Sequence, residues 1–208
     1  MRHGEKPLVV CRKLGGAVVC RRHACYLRAM SYFIVSHSAA LALLAHIPNP
    51  RFGDSESEVV SIADACALSD QEAQEFIDRY DLGIGVLDLM VPTRAGRRRT
   101  KHVATHLCSN ELPVGSFISL GHWRGELDAY VCSPELAYLQ AAHDGDAAEA
   151  IYAGYAMTSD YRLDNLVPGG VTSRDKGMRD GRLTTKELIA AYLGRASKVR
   201  GAAKAKAL

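Results

Sequence analysis

The sequence predicts an α+β fold: a small, mostly antiparallel sheet, helices on either side of it, and a basic C-terminal helix. Three observations carry this. Apolar or alternating strand-like segments gather in the middle of the chain, at 86–91, 102–108, 117–120 and 127–131. Helix-start signals flank that region on both sides. The last stretch, 195–207, is rich in Ala, Lys and Arg.

Residues 1–29 read as an N-terminal appendage. Leu8-Val9-Val10-Cys11 and Ala17-Val18-Val19-Cys20 flank Gly15-Gly16, which suits a small hairpin; a natural start at Met30 is the alternative. The main domain spans 30–194 and the basic tail 195–208. Tyr32-Phe33-Ile34-Val35 is a short strand, after which Ser36 is placed to cap a helix carrying Ala39, Leu41, Leu44 and Ala45. Pro48 and Pro50 stop that helix, and 51–57 is a polar loop. Short helices follow at 58–66 and 70–80, the second opened by a capping box of Ser69 with Glu72.

The strand 86–91 ends at Pro92, and the basic loop 94–101 connects it to the alternating strand 102–108. Two more strands surround a Gly121–Gly125 turn. Ser133, Pro134 and Glu135 form a helix start in which the serine caps and the proline suits the first turn. That helix runs to about His143, and others are expected at 146–157 and 184–194, with a Gly-rich loop at Pro168-Gly169-Gly170 between them.

Composition excludes some classes. At 208 residues, 48% hydrophobic and 24% charged, the chain can bury a core without staples. It has no apolar run long enough for a membrane helix, and its first apolar stretch breaks at Arg12-Lys13. We therefore expect no membrane contact and a cytoplasmic location. Cys11, Cys20, Cys25, Cys66, Cys108 and Cys132 lack paired spacing and are expected as free thiols.

The net charge of +3 hides segregation. Ten acidic residues lie between Asp54 and Asp88 against the single Arg79. Arg94, Arg97, Arg98, Arg99 and Lys101 follow with no acid among them, and Arg195, Lys198, Arg200, Lys204 and Lys206 repeat the pattern. Exposed guanidinium and ammonium groups bind phosphates and release their counterions, so both stretches point to nucleic acid or to an acidic protein surface.

No active site assembles from the residues. Ser36-His37 are sequence neighbours, which face apart on a helix, and there is no G-x-S-x-G elbow. His102, His106 and Cys108 share one face of a strand, but the spacing reads as a polar face beside a basic loop. Cys20, His23 and Cys25 lack the second cluster that would close a tetrahedral site. Asp175-Lys176 and Glu126-Leu127-Asp128 are the nearest material to a nuclease centre, without an acid-x-Lys pair on a strand. A helix-turn-helix over 62–78 would present four acids to phosphates, so that segment reads as structural. We expect no catalytic residue, metal or cofactor.

Several pieces in order carry a resemblance: Ser36-His37-Ser38-Ala39-Ala40-Leu41, then Leu87-Asp88-Leu89-Met90-Val91-Pro92-Thr93-Arg94, then His102-Val103 with His106. Pro113-Val114-Gly115-Ser116-Phe117 precedes Tyr130-Val131-Cys132-Ser133-Pro134-Glu135-Leu136-Ala137-Tyr138-Leu139-Gln140, whose V-x-S-P-E-L-x-x-L-Q is the most specific piece. Over about 31–207 the chain resembles a bacterial family whose front half is similar to the C-terminal domain of type IV abortive-infection antitoxins. In many members a domain like the very-short-patch-repair endonucleases follows, and Gly201-Ala202-Ala203-Lys204-Ala205-Lys206-Ala207 resembles its lead-in. The resemblance implies a regulatory module of a defence or DNA-processing system, with a toxin or nuclease as a further partner. The alternatives are the recognition half of a split or truncated endonuclease, and a protein-interaction domain using the acidic 54–88 face.

Overall fold

The computed structural model describes residues 12–14, 17–19, 32–46, 60–125, 127–159, 161–163, 171–173 and 182–208. Its centre is a five-stranded sheet of β3 (Tyr32–Val35), β4 (Leu87–Val91), β5 (Val103–Leu107), β6 (Phe117–Arg124) and β7 (Leu127–Cys132), in the order β5-β4-β3-β7-β6. Two hairpins lie outside it: β1 (Arg12–Leu14) with β2 (Ala17–Val19), and β8 (Tyr161–Leu163) with β9 (Val171–Ser173). The first pair brackets Gly15-Gly16, with Arg12–Leu14 as its leading strand; the expected Leu8-Val9-Val10-Cys11 run lies outside the described residues. Residues Cys20, His23, Cys25, Glu126 and Asp175-Lys176 fall outside the described residues.

The α+β class holds, but the central sheet is mixed. β3 pairs antiparallel with β4 and parallel with β7, β4 pairs parallel with β5, and β6 pairs antiparallel with β7. Expecting a mostly antiparallel sheet amounted to reading the 94–101 connection as a hairpin loop. It is instead the return path between two parallel neighbours, which no tight turn can join. After a short 3₁₀ turn at Arg94–Gly96 the chain runs back beside β5, with Arg99 bridged antiparallel to Ala104 and Thr105 N–H donating to the Arg98 carbonyl at 2.9 Å.

Both faces of the sheet are covered, because side chains alternate along each strand. Phe33 turns to α2 (Asp70–Arg79) and meets Phe76 edge-on at 5.3 Å. Trp123 packs on both rings, with the Arg79 guanidinium 4.9 Å above it. Each such buried aromatic stabilises the fold by about 1.5–3 kcal/mol. The capping box of Ser69 and Glu72 starts α2 as expected, whereas the described part of the predicted 58–66 helix, residues 60–66, holds only a 3₁₀ turn at Ile62–Asp64.

The other face carries α1 (His37–His46) and α3 (Pro134–Asp144); α4 (Ala147–Thr158), α5 (Lys186–Arg195) and α6 (Ala202–Ala207) pack on α3. Ser133 caps α3, Asp146 forms a capping box with Glu149 at α4, and Thr185 caps α5. The buried Tyr192 of α5 hydrogen-bonds Ser116 at 2.8 Å.

The C-terminal helix, expected as a basic tail apart from the main domain, is part of the packed domain. Its small alanines let it close on α3: Ala202 and Ala205 are buried, and the Tyr138 hydroxyl donates to the Ala205 carbonyl at 3.3 Å. Gly201, at φ +90, permits the approach, since a Cβ there would stand 2.6 Å from the His143 side chain.

Thr105 is the pin that holds the returning loop. Its buried hydroxyl accepts from Arg98 N–H at 2.5 Å and lies 3.2 and 3.0 Å from the Gly96 and Arg98 carbonyls. Thr105→Val keeps the shape and removes these bonds, so it should cost about 1–3 kcal/mol and speed hydrogen exchange at 96–100. Unchanged exchange there would mean that the loop is held by something else.

Candidate functional site

The strand-like run Tyr32-Phe33-Ile34-Val35 delivers Ser36 and His37 to the start of α1. Ser36 is fully buried, with its N–H on the Asp88 carbonyl at 2.9 Å and its carbonyl accepting from Ala40 at 3.0 Å. His37 takes φ +50, a left-handed conformation that costs a non-glycine residue on the order of 1 kcal/mol or more. The cost is offset from α3, where the buried Gln140 accepts the His37 N–H on Oε1 at 2.9 Å.

That backbone excursion changes which side chains meet. In a regular helix Ser36 and His37 would face apart, which is why their adjacency carried no weight in the sequence. Here His37 turns back, and its Nδ1 lies 2.9 Å from Ser36 Oγ. The hydroxyl therefore serves the imidazole and does not cap α1 as expected.

Parallel pairing supplies the rest. In the β4–β5 register Met90 lies opposite His106 and Asp88 opposite Ala104, which places Asp88 and His106 on the α1 side of the sheet. Asp88 Oδ1 is 2.8 Å from His106 Nε2, and Oδ2 accepts from Ser38 Oγ at 2.5 Å. The His106 ring stacks on His37 with centroids 3.6 Å apart and 19° between planes. His37 Nε2 lies 3.2 Å from Asp144 Oδ2 at the end of α3.

The electrostatics follow from these contacts. Burial first, and then the neighbouring His106, push the His37 imidazole down to about 4, against the opposing pull of Asp144 and Asp88. Burial alone would raise the Asp88 carboxyl, but hydrogen bonds from His106 and Ser38 outweigh it and hold the group below its ordinary value.

The cluster forms the polar end of a cleft of about 1080 Å³ between α1, the end of α3, and α4. Leu41, Ala45, Tyr152, Tyr155 and Met157 supply an apolar wall. Tyr152 and Tyr155 stay 58% and 66% exposed, an unusual display for aromatic side chains on one helix face. A smaller cavity of about 370 Å³ lies beyond His106, lined by Arg97, Arg98, Arg99, Ala104 and Thr105. His106 borders both.

The predicted basic residues divide into two patches. Arg94, Arg97, Arg98, Arg99 and Lys101 are exposed along the β5 edge. Among the described residues none of them is in a salt bridge. Lys198, Arg200, Lys204 and Lys206 are exposed on the helical side, where Lys204 Nζ donates to the Gly145 carbonyl at 2.7 Å.

His102, His106 and Cys108 do not gather with one another. His102 bonds the Gly85 carbonyl at 3.1 Å, Cys108 the Asn110 carbonyl at 3.8 Å, and His106 joins His37. Asp128 pairs with His122. The expectation missed His37, Asp88 and Asp144, which lie far apart in the chain and meet only through the parallel pairing and the helical layer.

In metal-free buffer, the His37 ring should titrate with a midpoint near 4 when followed by NMR, against an ordinary value of about 6.5. A depressed histidine stabilises the fold fully above its unfolded value and loses that contribution as pH falls. Between about 6.5 and 4, urea unfolding should therefore show His37 withdrawing roughly 3 kcal/mol. A midpoint above 6 would contradict the stacked, buried arrangement. Comparison with protein-family models, with curated proteins and with solved structures returns no match for this chain.

Proposed function

We propose that the chain is a non-catalytic, antitoxin-like regulatory module that binds nucleic acid through the basic edge of its sheet. One observation carries the reading. Arg97, Arg98 and Arg99 stand exposed on a backbone fixed to β5 by Thr105 and by the Arg99–Ala104 bridge, around a single cavity. Asp70 pins the far end of the loop through the Thr100 hydroxyl and, at 3.0 Å, the His102 N–H. A cationic row on a fixed backbone loses less conformational entropy on meeting phosphates than a free loop would, because only the side chains remain to be ordered.

The mechanism is occupancy. Phosphate contacts from Arg97, Arg98, Arg99 and Lys101 would position the protein, and no bond is made or broken. The resemblance to abortive-infection antitoxins suits such a role, with a toxin or nuclease as the neighbouring partner.

A second reading rests on α4, where Ile151 joins Tyr152 and Tyr155 in an exposed apolar row. Such a row suits a protein partner without nucleic-acid affinity.

Fluorescence anisotropy against random duplex DNA over a salt series tests the first reading. Wild type should weaken steeply with salt, each phosphate contact adding about 0.9 to the logarithmic slope. Changing Arg97, Arg98 and Arg99 together to Ala should lower that slope by about 2–3 and the affinity at least about tenfold. A folded wild type that does not bind at low salt would sink this reading and favour the α4 face.

A further inference from the structure

We infer that His37, His106 and Asp144 form a binding site for one divalent first-row transition-metal ion, with Zn²⁺ the best match. One ligand atom from each of the three lies within 4.8 Å of the others. Donors about 2.1 Å from a tetrahedral zinc stand about 3.4 Å apart, so taking up an ion draws the three atoms together and turns the two imidazoles out of their stack until both ring planes point at it. Two imidazoles and one carboxylate suit zinc and its neighbours, whereas Mg²⁺ and Ca²⁺ demand oxygen throughout.

Three further observations favour a built site over a chance meeting. Each ring is already held by one nitrogen from outside the cluster: Ser36 Oγ on His37 Nδ1 and Asp88 Oδ1 on His106 Nε2. Asp88 is in turn held by Ser38. Outer contacts of this kind orient metal-binding imidazoles and leave the second nitrogen for the ion. The left-handed backbone at His37 is maintained by Gln140, 103 positions away in sequence, and strain held at such a distance is a mark of functional positions. Burial also keeps His37 neutral, the form that binds metal.

All three donors line the large cleft, so a fourth coordination position faces it. An ion there would present a Lewis-acidic position to an anionic group entering the cleft. The inference stands apart from the nucleic-acid reading and is tested without DNA.

The experiment uses the full, tag-free chain stripped with chelator. Zn²⁺ is titrated by calorimetry, and Co²⁺ is followed by its visible absorption. Wild type should take up one equivalent with micromolar or tighter affinity, and Co²⁺ should give the bands of a low-coordinate nitrogen–oxygen site. His37→Asn (asparagine tolerates the left-handed backbone), His106→Gln and Asp144→Asn should each weaken uptake about 100-fold or more, and Asp88→Asn about 10–100-fold. The Cys20→Ser, Cys25→Ser double variant should bind as wild type does. Circular dichroism establishes which variants are folded; Asp144 is exposed, so Asp144→Asn serves if the histidine variants unfold. No uptake by folded wild type would overturn the inference. So would uptake that survives Asp144→Asn and the folded histidine variants, or uptake that disappears with the two cysteines.

Discussion

Two parallel strands cannot be joined by a tight turn, and β4 and β5 are parallel neighbours separated by only 92–102. The connection must cover the length of a strand in reverse, about 16 Å at roughly 3.3 Å per residue, before β5 begins. It does so against the open side of β5, using Thr105 and Asp70 as anchors. The same pairing places Asp88 and His106 on the face that α1 covers. An antiparallel hairpin over these residues would leave the arginines in a mobile loop and change the register that brings Asp88 to His106. The basic edge and the histidine cleft thus share one cause, and His106 lies where they adjoin.

The second constraint is the buried amide of Gln140. Its Oε1 holds the His37 N–H, while its Nε2 faces the sulfurs of Met90 at 3.5 Å and Cys132 at 3.7 Å. A buried amide with weak sulfur partners contributes little net stability. Its value here is positional: it joins α3, β4, β7 and the first residue of α1 at one point. The helix that begins at Ser133-Pro134 thereby reaches the site at both Gln140 and Asp144.

Local chemistry was legible in the sequence. The capping box at Ser69, the start at Ser133-Pro134 and the strand predicted at 86–91 all rest on interactions within a few residues, and the structure has each of them, the strand as Leu87–Val91. Strand direction was not legible, because the same alternation at 102–108 serves a parallel or an antiparallel neighbour. That one ambiguity hid the relation of Asp88 to His106. Ser36 was hidden differently: its capping role assumed that His37 is helical, and no local signal reports a left-handed histidine held by a residue 103 positions away. The alanine-rich tail was misread for want of a visible partner, since Ala202 and Ala205 acquire a face only when Gly201 brings them onto α3.

The edges of the sheet carry a consequence of another kind. An open strand edge is a template on which further chains can polymerise. On the β5 side the returning loop occupies that edge and studs it with positive charge, which repels a second copy of itself. On the opposite side β6 is interrupted twice, with register shifts at Ser119/Gly121 and His122/Arg124 that twist the strand away from flat pairing. Each flank of the sheet thus carries its own guard against amyloid-like stacking. The arginines would serve the chain's colloidal stability even while no ligand is bound.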